Sequence, residues 1–106
     1  MKRLAFALLL SSSLVAFAQE KEFAIAIKDH KFTPDRIEIP AGQKVKFIVE
    51  NQDATPEEFE SNAMKIEKVI PGKSKATIYV GPLKAGEYKF AGEFNEKTAK
   101  GVVVAK

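Results

Sequence analysis

The sequence contains no cysteine. That excludes disulfides, cysteine nucleophiles, iron–sulfur clusters and thiolate metal sites, and leaves packing and strand pairing to hold the fold. Histidine occurs once, at His30, and methionine only at Met1 and Met64. With a single histidine and no nucleophile beside an evident base, no hydrolytic triad or dyad suggests itself. A basic block is missing too. The 17 lysines and arginines are interspersed with 14 acidic residues, so the chain carries no electrostatic footprint for nucleic acid. There is no internal repeat and no low-complexity segment.

Only one long apolar run is present, at the start. Met1-Lys2-Arg3 is basic, residues 4–17 are apolar apart from three serines, and Ala16-Phe17-Ala18 has the small-x-small form of a cleavage site. This is the pattern of a secretory signal peptide over residues 1–18, so the protein is expected to be exported. An uncleaved anchor is the alternative, but the run is short for a membrane span and Glu20, Lys21 and Glu22 follow at once. Removal of Lys2 and Arg3 would leave the remainder near neutral. Residues 19–106 suffice for one small domain with a modest core.

Within that domain, period-two alternation dominates. Val45, Phe47 and Val49 alternate with Lys46 and Glu50, and Tyr88, Phe90, Gly92 and Phe94 repeat the pattern. Alternation of this kind marks strands buried on one face. Strands are expected at 23–27, 36–39, 44–50, 65–69, 75–80, 87–93 and 101–105, separated by Gly/Pro turns, with Val102-Val103-Val104 suited to burial on both sides. Thr55-Pro56-Glu57-Glu58 has the form of a helix start: Thr55 as N-cap, Pro56 in the first turn, Glu58 reaching back as a capping box. One or two helical turns are expected to about residue 62. The fold class is therefore all-β: a Greek-key β-sandwich of about seven strands with one short helical turn. Two loops, 51–60 and 92–100, should meet at one end.

From residue 23 to the end the chain resembles the cupredoxins. The features are Phe32-x-Pro34, Ile39-Pro40-Ala41-Gly42, Asn51-x-Asp53 and Gly86-x-Tyr88-x-Phe90, in that order and spacing. The resemblance implies a copper ligand set of two histidines, a cysteine and usually a methionine, which suits a metal cycling between two oxidation states. Here Glu57 falls at the first histidine, Gly92 at the cysteine and Asn95 near the second histidine, and no methionine lies beyond Gly92. All four ligands of that set are therefore missing, which argues against a blue-copper electron carrier. The runs Pro56-Glu57-Glu58-Phe59-Glu60-Ser61, Gly92-Glu93-Phe94 and Thr98-Ala99-x-Gly101 are similar to cupredoxin-like periplasmic proteins of bacterial iron-uptake permease systems. That likeness implies a periplasmic accessory role in ferrous-iron import, with a membrane iron permease or another iron-uptake component as partner and a copper or iron ion as cofactor.

The candidate metal ligands are Glu57, Glu58, Met64, Glu93 and His30. Glu57, Glu58 and Glu60 occupy three of four positions and could cluster with Glu93, offering oxygen donors better suited to Cu²⁺ or iron than to Cu⁺. Against this, acidic residues in a first helical turn favour the helix dipole without any metal. Met64 could supply a thioether or simply fill the core. His30 could supply an imidazole or lie in solvent, and sequence does not place it relative to the acidic loops. The rival to a metal-handling protein, with iron oxidation as a possible activity, is a metal-free cupredoxin-like interaction module whose loop end docks a partner.

Overall fold

A computed structural model describes residues 20–106. The expected signal peptide at 1–18 lies outside the described residues. Nine strands follow in order: β1 (Glu22–Lys28), β2 (Lys31–Thr33), β3 (Arg36–Ile39), β4 (Val45–Asn51), β5 (Glu57–Ser61), β6 (Ile66–Ile70), β7 (Ser74–Val80), β8 (Gly86–Gly92) and β9 (Lys100–Ala105). A 3-10 turn, Glu93–Asn95, the only helical segment among the described residues, connects β8 to the last loop.

The strands form two mixed sheets, ordered β2-β1-β4-β7 and β3-β9-β8-β5-β6. β1 runs parallel to β4, and β3 runs parallel to β9. The architecture is the expected all-β sandwich. Val45, Phe47 and Val49 of β4 face inward and are fully buried, as their alternation requires. β9 lies between β3 and β8, and its consecutive Val103 and Val104 are both buried. Aromatic rings join the layers: Phe59 and Phe90 of one sheet stack at 4.8 Å, and from the other sheet Phe32 meets Phe90 edge-on at 5.0 Å and Phe47 meets Phe59 at 6.4 Å. Tyr88 donates its hydroxyl to the Lys84 carbonyl at 2.7 Å, the backbone bond expected of a tyrosine in a Greek-key sandwich.

Two expectations are corrected. Residues 55–62 are not helical. Residues 57–61 form β5, which pairs with β6 along its whole length and with β8 at Phe59 and Glu60. Glu58 is accordingly a strand residue and closes no capping box. Asn51, fully buried, donates its Nδ2 to the carbonyls of Thr55 at 2.9 Å and Ile70 at 3.1 Å. This bond holds the Thr55 carbonyl to the neighbouring turn and favours an extended entry to β5 over a helical one. Phe94 does not continue the alternation of β8 either. It sits in the 3-10 turn and is 51% exposed.

Strand β2 is additional to the seven expected. Its formation depends on the two-residue turn at Asp29 and His30, whose φ angles are +51° and +58°. Such a turn matches the twist of a hairpin and normally uses glycine or asparagine. Here Asp53 compensates. Its carboxylate accepts the Asp29 N–H at 2.8 Å and the His30 N–H at 3.0 Å.

Candidate functional site

The expected segments 51–60 and 92–100 do meet at one end, through Glu57 and the Phe94–Asn95 turn. Glu57 opens β5 and points inward, 1% exposed. Its Oε1 accepts the N–H of Phe94 at 2.9 Å and of Glu58 at 3.0 Å, and its Oε2 accepts Asn95 Nδ2 at 2.7 Å. Gly92 makes room for this carboxylate. A Cβ at that position would lie 2.6 Å from Glu57 Cδ and 2.8 Å from its Oε2. The three positions assigned from the resemblance to copper ligands, 57, 92 and 95, are therefore mutual neighbours. Between them lies a satisfied carboxylate.

Glu58 and Glu60 leave the opposite face of β5. They come together with Glu93 of the 3-10 turn, one carboxylate oxygen of each lying within 4.8 Å of the others. Glu60 also stands directly across from Glu67 of β6, an unfavourable like-charge pairing. Partial burial, then the Glu93 carboxylate, then Glu67, push Glu58 and Glu60 above the ordinary glutamate range. Among the described residues, no ion pair involves Glu58, Glu60, Glu67, Glu93 or Glu96. An open groove of about 410 Å³ borders the triad, lined by Glu60, Glu93, Glu96, Ala91 and Lys89 among others. Such a triad offers hard oxygen donors to a cation at the surface.

Of the five ligands expected from sequence, Glu58 and Glu93 thus converge, with Glu60 as their third member. Glu57 is separated from them by the strand itself. Met64 packs against the hydrophobic core, where an unbranched thioether fills space well. His30 lies at the same end of the sandwich but outside the triad. It lines an adjoining open cleft of about 500 Å³ with residues 93–98, which shares Glu93 and Glu96 with the groove beside the triad, its carbonyl accepts Thr98 Oγ1 at 2.7 Å, and its Nδ1 lies 3.5 Å from Asp53 Oδ2. Sequence reasoning did not identify the Asp53 clamp or the contributions of Glu67 and Glu96 to the acidic surface. The period-two spacing within 57–61 puts Glu58 and Glu60 on one face once the segment is a strand, but it carries no signal for Glu67 or Glu96.

The His30 N–H above all, with Asp29 N–H and the nearby charges of His30 and Lys73, holds Asp53 below the ordinary aspartate range despite partial burial. A depressed carboxylate contributes stability above its unfolded value, near pH 4, and loses it as pH falls through the folded value. Asp53→Asn keeps one acceptor oxygen but not two. It should lower stability at pH 7 by about 1–2 kcal/mol. Urea melts at pH 7 and in acid check this: the gap between wild type and variant should shrink as the pH drops below the aspartate range.

Comparison with known proteins places the chain. Residues 3–105 match the family model described as a cupredoxin-like domain, and the chain belongs to that family. It is 41% identical over 83 residues to an uncharacterized protein of Rickettsia prowazekii (strain Madrid E), a match covering 78% of this chain and 66% of that one, just under two thirds. Its fold is similar to that of auracyanin A, a blue copper protein of Chloroflexus aurantiacus, with a TM-score of 0.71 and 14% identity over 83% of this chain and all of the other. It is also similar to the metal-binding domain of a Cu(I)-exporting P-type ATPase of Streptococcus pneumoniae D39, with a TM-score of 0.68 and 16% identity over 80% and 84% of the two chains.

A blue-copper ion does not fit the residues present here. The interior position between β5 and the 92–95 segment offers neither thiolate nor imidazole, and its one carboxylate is already engaged by three N–H donors.

Proposed function

We propose that this is an exported, periplasmic metal-handling protein. It binds Cu²⁺ or iron at the surface carboxylates of Glu58, Glu60 and Glu93 and assists ferrous-iron uptake at a membrane permease or another iron-uptake component. The observation that carries the reading is the triad itself: three convergent carboxylates that form no ion pair among the described residues. Family membership supports metal handling in general. The iron-uptake role is supported by the runs at 56–61, 92–94 and 98–101. Any oxidation of iron would draw its redox chemistry from the bound ion, since the triad supplies only oxygen donors.

The triad predicts opposite effects on stability and on binding. A raised carboxylate contributes stability that is present in acid and lost as pH rises through its folded value. Glu60→Gln should therefore raise the melting temperature of the metal-free protein at pH 7. The same change should weaken cation binding about tenfold or more, by removing one charged ligand. Anaerobic calorimetric titration with Fe²⁺, and aerobic titration with Cu²⁺, measure the second effect, and thermal melts measure the first. Micromolar binding in wild type, with a melting temperature that rises as the ion is added, supports the proposal. Absence of heat and of any thermal shift contradicts it.

One observation favours a second reading, a metal-free interaction module. The interior is closed by Glu57, while half-exposed Phe94 stands beside the cleft that His30 lines. Exposed aromatics of this kind serve as anchors in protein interfaces.

A further inference from the structure

We infer that the Glu57 carboxylate does at this end of the sandwich the structural work that a bound ion would do, so that the end closes without metal. The inference goes beyond the proposed surface site and stands whether or not the triad takes up a cation. A metal with ligands at positions 57, 92 and 95 would tie β5 to the segment after β8. Glu57 makes the same tie with its own side chain. It receives the Phe94 N–H and the Asn95 amide from the turn that follows β8, its neighbour in the sheet, and the Glu58 N–H from its own strand.

Every one of these partners donates, so the arrangement suits an acceptor-only carboxylate. Charge-assisted bonds of this kind are about twice as strong as neutral ones. The segment beyond is then closed on itself: Gly92 N–H bonds the Ala99 carbonyl at 2.9 Å, and Ala99 N–H bonds Asn95 at 2.8 Å.

The three residues depend on one another. The carboxylate reaches the centre only because residue 92 has no side chain, the nearest atoms to a Cβ there being those of Glu57 and Ala99. It is fully satisfied only because residue 95 carries a donor. Substituting a metal ligand at position 92 or 95 alone would therefore meet the carboxylate rather than create a site.

The test uses hydrogen exchange in the presence of EDTA and one double-mutant cycle. In wild type the Phe94 amide should be protected without metal. In Glu57→Ala it should exchange about tenfold faster or more, while the Val103 amide in β9 changes far less. Because Glu57→Ala could fail to fold, a second set is included. Asn95→Asp places two carboxylates against each other and should lower the melting temperature at pH 7. Glu57→Gln/Asn95→Asp restores a donor facing an acceptor and should recover most of the loss. Equal Phe94 exchange in wild type and Glu57→Ala would overturn the inference. So would protection that appears only after Cu²⁺ or Fe²⁺ is added, or additive effects in the cycle.

Discussion

Gly92→Ala is expected to destabilise the protein by about 3 kcal/mol. The added methyl would sit 2.6 Å from Glu57 Cδ and 2.7 Å from Ala99 Cβ, closer than real carbon contacts allow. Backbone conformation contributes nothing to this cost, because Gly92 has φ −88° and ψ 107°, ordinary extended values. Overpacking alone costs roughly 1–3 kcal/mol. Displacing the carboxylate also leaves the Phe94 and Asn95 donors short of a partner, at roughly 1–3 kcal/mol. Thermal or urea unfolding measures the sum, and for a domain of this size the melting temperature should fall by roughly 15 °C. A loss well under 1 kcal/mol would mean that the end of the sandwich is free to open.

Phe59→Ala should cost more, about 4 kcal/mol. Phe59 is fully buried and touches rings from both sheets, stacked on Phe90 and edge-on to Phe32 and Phe47. Deleting a buried phenyl group costs about 3–5 kcal/mol, with the higher values where neighbours cannot collapse into the space. A small domain without disulfides has roughly 5–15 kcal/mol in all, so the variant should be marginal at 37 °C. Phe59 lies between Glu58 and Glu60 on β5. Its loss should also loosen the triad, and cation binding should weaken although no ligand has been touched. Urea midpoints together with cation titration below the transition check both effects.

How much of this was legible in the sequence depends on the residue. The strands of the core were readable because Val45, Phe47 and Val49 alternate with polar neighbours, and the structure buries all three. The segment 55–62 reads as a helix because Thr55-Pro56-Glu57-Glu58 satisfies local helix-start chemistry. Pairing with β6 and β8 overrides that preference, as strand context often does. The correct period was present in Glu57, Phe59 and Ser61, which all turn inward. Strand β2 was hidden for a related reason: its turn carries aspartate and histidine where glycine or asparagine usually signals a hairpin, and the compensating Asp53 lies 24 residues beyond Asp29. The role of Glu57 was the least accessible. A glutamate in a polar run reads as a surface residue, and its partners Phe94 and Asn95 are 37 and 38 residues away.

The structure thus separates the acidic residues that sequence grouped together. Glu57 closes the interior, and Glu58, Glu60 and Glu93 face outward. Titration of isotope-labelled protein with substoichiometric Mn²⁺, used as a hard paramagnetic probe, tests that division most directly. The account predicts broadening of the amide signals of Glu58, Glu60, Ala91 and Glu93, with the fully buried Phe47 and the His30 turn less affected and no broadening in a Glu58→Gln/Glu60→Gln/Glu93→Gln variant. Broadening centred on His30, or unchanged in that variant, would contradict it.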